Sequence, residues 1–171
     1  MINFFSKVLL FFVVLFIQIF FIDKIDLGEL NYFFAPIIYG LIIITIQPSI
    51  DLWILMLIAF LMGLSVDLFR NTIGLNISAL VMVAFFKYPI LNFLFPRDGY
   101  DPLKDLTPIN IGWNNYFFYV FIMLFIHHFW FLLIEDFHFN QLFYLFLKAM
   151  INSIVALFVF VLFYFLSRKI K

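Results

Sequence analysis

The sequence predicts an all-α polytopic membrane protein with about six transmembrane helices. Hydrophobic residues make up 67% of the 171 positions, only 12% are charged, and the mean hydropathy is +1.16. The apolar residues also arrive in blocks that short polar breaks separate. A soluble domain of this size would expose much of that apolar area and aggregate. In a bilayer, lipid solvates the same blocks, and each block satisfies its backbone hydrogen bonds as a helix.

The bulk composition excludes several other classes of protein. The formal net charge is zero, so the chain lacks the basic surface that a nucleic-acid partner requires. The absence of cysteine rules out a disulfide framework and a thiolate metal site. We find no nucleophile elbow, phosphate-binding glycine loop or HExxH motif. We therefore expect no enzymatic activity, no cofactor and no resident metal.

The apolar blocks define six segments of a single integral membrane domain over 1–171. Their approximate ranges are 2–22, 32–46, 52–66, 74–95, 116–134 and 141–166. No cleavage site of small residues follows the first block, so we interpret it as a retained first span rather than a signal peptide. The second and third blocks are short, about 22 Å as helices against a core near 30 Å. They are either thin spans or a re-entrant hairpin.

Basic residues near the span ends predict the orientation. With the N-terminus inside, the cytoplasmic set is Lys7, Lys87, Arg97, Lys104, Arg168, Lys169 and Lys171. The outer set is Lys24, Arg70 and Lys148. This excess predicts that both termini face the cytoplasm. The polar loop 96–115 is then cytoplasmic, and it either connects two spans or contacts a cytoplasmic partner.

The third block ends in the residues most suggestive of function. Gly63 and Asp67 are four positions apart and share one helix face, and Gly63 permits close approach by a neighbouring helix. Asp67 would accept hydrogen bonds from Arg70 or from the backbone amides that open the helix after Gly74, which would fix the turn between the two spans. The alternative is a solvated helix-end carboxylate paired with the local arginine.

The stretch Gly63-Leu64-Ser65-Val66-Asp67-Leu68-Phe69, followed by Gly74-Leu75 and a helix of small residues from Ser78, resembles the signature region of the MreD rod-shape-determining family. The resemblance implies a non-enzymatic scaffold of the bacterial cell-wall elongation machinery, in the cytoplasmic (inner) membrane. It implies as partners an MreC-like bitopic protein and, through it, a SEDS-type glycosyltransferase and a class B penicillin-binding transpeptidase. The fold would be similar to the substrate-binding subunit of energy-coupling-factor transporters. Grooves beside Gly63 and Gly74 would receive a partner's helix.

The fifth block carries His127 and His128 and ends at Glu135 and Asp136. Histidines beside carboxylates are typical of metal sites, but adjacent histidines on a helix point about 100° apart. His128 and Glu135 share a face at a separation of about 10 Å, too far for one ion. We expect these histidines to form hydrogen bonds between helices, with the second imidazole reaching toward the lipid headgroups.

Lys148 lies about 10 Å below the predicted outer interface, within the sixth block. A cation at that depth is expected to face the bundle interior with a partner, and Asn152 lies one turn deeper on the same face. Glu135, Asp136 and Asp67 are the candidate partners. The alternative is that the lysine stem lets the amine reach outward to the headgroups.

A second function from a different class is consistent with the same residues. Most of the candidate polar side chains lie toward the predicted outer face, where a substrate-binding subunit of a membrane transporter holds a vitamin-type small molecule. A concave, water-accessible pocket lined by several of these side chains would favour that function. A scaffold would act through its surfaces instead.

Overall fold

The computed structural model describes residues 4–26, 36–72, 74–95, 106–136 and 141–169, and these are helical or irregular without β-strands. The helices in chain order are α1 (Phe4–Phe20), α2 (Leu41–Thr45), α3 (Leu52–Arg70), α4 (Leu75–Leu94), α5 (Pro108–Ile111), α6 (Trp113–Asp136) and α7 (Leu142–Lys169). A short 3₁₀ turn, Ile22–Lys24, follows α1.

Four helices are long and apolar enough to cross a membrane: α3, α4, α6 and the Leu142–Leu162 part of α7. The chain is therefore an α-helical, multi-pass membrane protein. Among the described residues, α1 has 17 residues, three fewer than α4 and seven fewer than α6. The expected third span is longer than predicted, because α3 continues to Arg70 over 19 residues, about 28 Å of rise.

The expected helix over 32–46 is reduced to five residues in its described part, 36–46. Only Leu41–Thr45 is helical there, because side chains from other helices replace the helical hydrogen bonds of the preceding residues. The Ile37 N–H donates to His128 Nε2 at 3.0 Å and the Ile38 N–H to Gln18 Oε1 at 2.9 Å. Pro48 follows soon after α2 and disfavours helical geometry at the residue before it.

This irregular segment, 36–50, lies inside the bundle. Residues 37–44 are buried throughout, between α4, α6 and α1. Non-helical backbone at membrane depth is tolerated only where protein surrounds it. The Tyr39 hydroxyl donates to Asn76 near the start of α4, whereas Ile43 O and Ile46 O contact Lys87 further along α4. The segment thus passes about 16 Å along the α4 axis.

The bundle is built on α4, which packs between α3 and α6, while α7 packs on α6. Small residues at these contacts, such as Ala59, Ala79, Ala84 and Ala149, are fully buried and let the helix backbones approach closely. The predicted loop 96–115 is partly helical: α5 and the first turn of α6 lie within its described part, 106–115. Its other residues, 96–105, lie outside the described ranges.

The bundle has two ends, which are named here after one charged residue at each. The Asp67 end contains the end of α1, the α3–α4 connection, the end of α6 and the start of α7. The Lys87 end contains the end of α4 and the start of α3, joined where the Tyr88 hydroxyl donates to Ile50 O. Trp113 at the start of α6 stacks on Phe165 near the end of α7, with ring centroids 5.8 Å apart.

Candidate functional site at the Asp67 end

Asp67 fixes the connection between α3 and α4. Its Oδ1 accepts from Thr72 Oγ1 at 2.6 Å, from Asn76 Nδ2 at 2.7 Å and from the Asn76 N–H at 3.1 Å. Its Oδ2 accepts from the Ile77 N–H at 3.1 Å. These two backbone donors belong to the first turn of α4, where they have no partner within the helix. The carboxylate also stabilises the positive end of the helix dipole. Asp67 thus adopts one of the two arrangements expected from the sequence.

Two residues in left-handed backbone conformations shape this connection. Asn71 ends α3 with φ of 55°, and Gly74 precedes α4 with φ of 78°. Asparagine and glycine tolerate positive φ better than other residues. A Cβ built on Gly74 would meet no atom within 4 Å, so the glycine is required by its backbone angle and not by crowding.

Gly63 is required by crowding. A Cβ at this position would lie 2.5 Å from Ile77 Cα and 2.9 Å from Asn76 O. The α3 and α4 backbones therefore touch beside Gly63, one turn below Asp67. The prediction that a partner's helix enters a groove at this glycine is wrong, because α4 of the same chain fills that space. The space beside Gly74 remains open.

Arg70 does not pair with Asp67. Its Nε and Nη2 atoms each lie 3.0 Å from a carboxylate oxygen of Asp23 in the turn after α1. This bidentate geometry is the strong form of an arginine–carboxylate pair. The oxygens of Asp67 are already occupied by the start of α4, so the arginine bonds to the acid that α1 brings alongside it. Gln18 reinforces this contact by donating to Asp23 Oδ1 at 2.8 Å.

The two histidines of α6 have different surroundings. His128 joins α6 to the irregular segment: its Nε2 accepts the Ile37 N–H, and its Nδ1 lies 2.8 Å from Leu124 O. This arrangement fits a neutral ring with its proton on Nδ1. His127 packs against Gly40 and edge-on to Tyr39. Both rings are buried, so the expectation that one imidazole reaches the headgroups is wrong, because segment 36–50 covers this face of α6.

A partly enclosed cavity of about 170 Å³ lies at the Asp67 end. Its lining residues are Ile37, Arg70, Thr72, His128, Phe131, Leu132, Glu135, Lys148 and Asn152. Lys148 is 9% exposed and faces this cavity with Glu135, as expected for a side chain directed into the bundle. The Asn152 side chain donates to Lys148 O at 2.8 Å.

The predicted site residues thus divide into two groups. Gly63, Asp67 and Gly74 form the connection between α3 and α4, whereas Arg70, His128, Glu135, Lys148 and Asn152 surround the cavity. His127 belongs to neither group. No group of three or more metal-ligating side chains occurs within the described ranges.

Sequence reasoning did not find four polar residues that hold this architecture. Gln18, Tyr39, Asn76 and Lys87 are buried, and each bonds to a different part of the chain. A lone glutamine or asparagine inside an apolar block is a signal that was available, because such a side chain needs a partner in lipid.

Compared with known proteins, the chain matches no family model, no curated protein and no solved structure.

Proposed function

We propose that this protein is a non-enzymatic membrane scaffold of the MreD type, which holds partner proteins of the cell-wall elongation machinery. The observation that carries the proposal is the use of the three residues of the resemblance, Gly63, Asp67 and Gly74. They fix the α3–α4 connection, and none of them lines the cavity. A motif that fixes a turn suits a protein that acts by presenting a surface of constant shape.

The connection between α3 and α4 offers a specific contact surface on this proposal. The space beside Gly74 at the start of α4 is open, and two apolar side chains near the end of α3, Leu68 and Phe69, are exposed. An MreC-like bitopic partner has one transmembrane helix, and its end would meet this surface. The SEDS-type glycosyltransferase and the class B penicillin-binding transpeptidase would join through that partner.

The test is purification of the tagged protein from detergent-solubilised membranes, with identification of its partners. We expect an MreC-like protein and wall-synthesis enzymes to co-purify. The Gly74→Trp variant, which fills the open space, should lose them, whereas Gly74→Ala, which places a side chain on the same left-handed backbone without filling the space, should retain them. Recovery of an ATPase pair instead would contradict the scaffold.

The second candidate function is a small-molecule binding subunit of a transporter, and the cavity is the observation that favours it. Several of the polar side chains expected for that function surround it. Its volume of about 170 Å³ is smaller than the range of about 300–1,000 Å³ usual for drug-sized ligands. This difference makes a vitamin a poor fit and leaves the scaffold as the preferred function.

The scaffold would lie in the cytoplasmic membrane with both termini inside. The end of α1 and the start of α7 both lie at the Asp67 end, so the opposite ends of these two helices lie together at the Lys87 end. The excess of basic residues near the Lys87 end supports a cytoplasmic location for it. Alkaline phosphatase fused after Asp136 should be active and after Lys171 inactive; the reverse pattern would contradict the orientation.

A further inference from the structure

The cavity at the Asp67 end contains charges of both signs in a small space. We infer that it binds a small zwitterion, a molecule that carries an oxyanion and an ammonium group on a short connection. This inference is independent of the scaffold proposal, since none of Gly63, Asp67 and Gly74 lines the cavity.

The charged residues that line the cavity, taken together with Asp23, sum to zero net charge. Arg70 and Lys148 supply two cations to the lining, and Glu135 supplies one anion. Asp23 neutralises the charge of Arg70 through its bidentate contact. A ligand with a net charge would therefore leave one charge without compensation in a half-buried site, which is unfavourable. A molecule of zero net charge that carries both signs satisfies the lining.

Arg70 provides the position for the oxyanion. Asp23 uses its Nε and Nη2 atoms, while Nη1 is buried and has no hydrogen-bond partner among the residues that the structure describes. Burying a guanidinium N–H group without a hydrogen-bond partner destabilises the protein. A carboxylate or phosphate oxygen is the preferred acceptor for such a group. Thr72 also lines the cavity, but its hydroxyl already donates to Asp67 Oδ1 and accepts from Asn76 Nδ2.

Glu135 provides the position for the ammonium group. It lines the cavity from the end of α6 and is close enough to Lys148 and Arg70 for electrostatic attraction. In the proposed orientation the ligand's ammonium group contacts Glu135, and its oxyanion lies between Arg70 and Lys148. Each charged group of the ligand then lies beside a side chain of opposite charge. Phe131 and Leu132 supply apolar wall around the connecting carbon atoms.

The cavity volume limits the size of this ligand. At about 30 Å³ for each water molecule, the cavity has space for about five or six waters, or for roughly five to eight non-hydrogen atoms of a ligand. Glycine, serine and the phosphodiester-linked ethanolamine unit of a phospholipid headgroup are of this size. Two sources share this chemistry: a free amino acid, and the headgroup of an ethanolamine phospholipid at the helix ends.

The experiment measures binding to the purified full-length protein in phospholipid-free detergent, by the shift of its thermal unfolding midpoint. The probes are glycine, L-serine and sn-glycero-3-phosphoethanolamine, a phosphodiester whose single negative charge balances its ammonium group at neutral pH, unlike that of a phosphate monoester. Acetate and ethylamine are half-ligands, each with one of the two charged groups. We expect a saturable rise with at least one zwitterion, and none with either half-ligand at the same concentration. Preference for sn-glycero-3-phosphoethanolamine would identify the headgroup as the source, and preference for glycine or serine a free amino acid.

Matched variants locate the binding. Glu135→Gln should weaken zwitterion binding by about tenfold or more, because it removes a charged hydrogen-bond partner. Asp51→Asn, the same loss of a carboxylate at the other end of the bundle, should leave it unchanged. Lys148→Met should also weaken binding, with Lys24→Met in the exposed turn after α1 as its control.

Two outcomes would overturn the inference. Acetate that binds as well as glycine would make this a simple anion site. No saturable shift with any zwitterion, in protein shown by mass spectrometry to be free of lipid, would mean that the cavity holds only water. Neither comparison requires a variant to fold, and partner co-purification tests the scaffold proposal separately.

Discussion

At each end of the bundle a buried charged side chain bonds to backbone groups that have no partner within their helix, but the two side chains carry opposite charges. At the Asp67 end, a carboxylate accepts hydrogen bonds from the backbone N–H groups that open α4. At the Lys87 end, an amine donates to Ile43 O and Ile46 O, carbonyls at the end of α2. Helix ends leave such groups without internal partners, and lipid supplies none. The acid lies at a helix start and the base at a helix end, where the helix dipole favours each.

The comparison shows which solution can be recognised in a sequence. Asp67 and its partners are 9 and 10 residues apart, within one turn signal that contains Gly74. Lys87 and its partners are 44 and 41 residues apart, and no local pattern connects them. A local cap is therefore predictable, whereas a distant one is found only in the folded chain.

The largest expected effect is at Gly63, on which the Asp67 end depends. Gly63→Leu would force α3 and α4 apart, because even the first carbon would lie 2.5 Å from Ile77 Cα. We expect a loss of about 3 kcal/mol or more in stability, measured as membrane abundance and as resistance to unfolding in detergent. Leu64→Ile, at the next and exposed position, is the control. Normal abundance of Gly63→Leu would show that this contact is not close.

Asp67 should come next. Asp67→Leu would leave the Asn76 and Ile77 N–H groups without acceptors, with an expected loss of about 2–3 kcal/mol. Asp67→Asn retains Oδ1 and loses mainly the acceptor for Ile77, so its loss should be about half as large. The measurement is the unfolding midpoint of both variants in one detergent. Equal midpoints for Asp67→Leu and the wild type would reduce Asp67 to a solvated helix end.

Lys87 tests the other side of the comparison. Lys87→Met retains the apolar stem but removes the donor for Ile43 O and Ile46 O, and we expect a loss of about 2 kcal/mol. Hydrogen exchange of segment 36–50 should increase more than that of α7. Lys24→Met, in an exposed turn, should change neither quantity. A Lys87→Met protein more stable than the wild type would mean that desolvation of the amine outweighs its hydrogen bonds.

The parts of the fold that local patterns specify were predicted closely. The expected span 74–95 is α4, Leu75–Leu94, although Pro89 lies inside it, and the spans 116–134 and 141–166 correspond to α6 and α7. Only Leu41–Thr45 of the described part of block 32–46 is helical, because hydropathy reports burial and this segment is buried by protein rather than lipid. The Arg70–Asp23 pair was missed because its residues are 47 positions apart, so no spacing rule relates them.

The smallest expected effect concerns this pair, which joins α1 to the bundle at the Asp67 end. Few other contacts connect α1 to α2 and α3. A cycle of Arg70→Gln, Asp23→Asn and the double variant should give a coupling energy of about 1 kcal/mol or less, because both side chains are partly exposed. Its effect should be local: faster hydrogen exchange in α1, with α6 unchanged. Asp26→Asn, a nearby exposed acid, serves as the control. If the two single variants destabilise the protein additively, the pair does not hold α1, and the Gln18 hydrogen bonds to Pro36 O and Ile38 N are the remaining polar connection within the described chain.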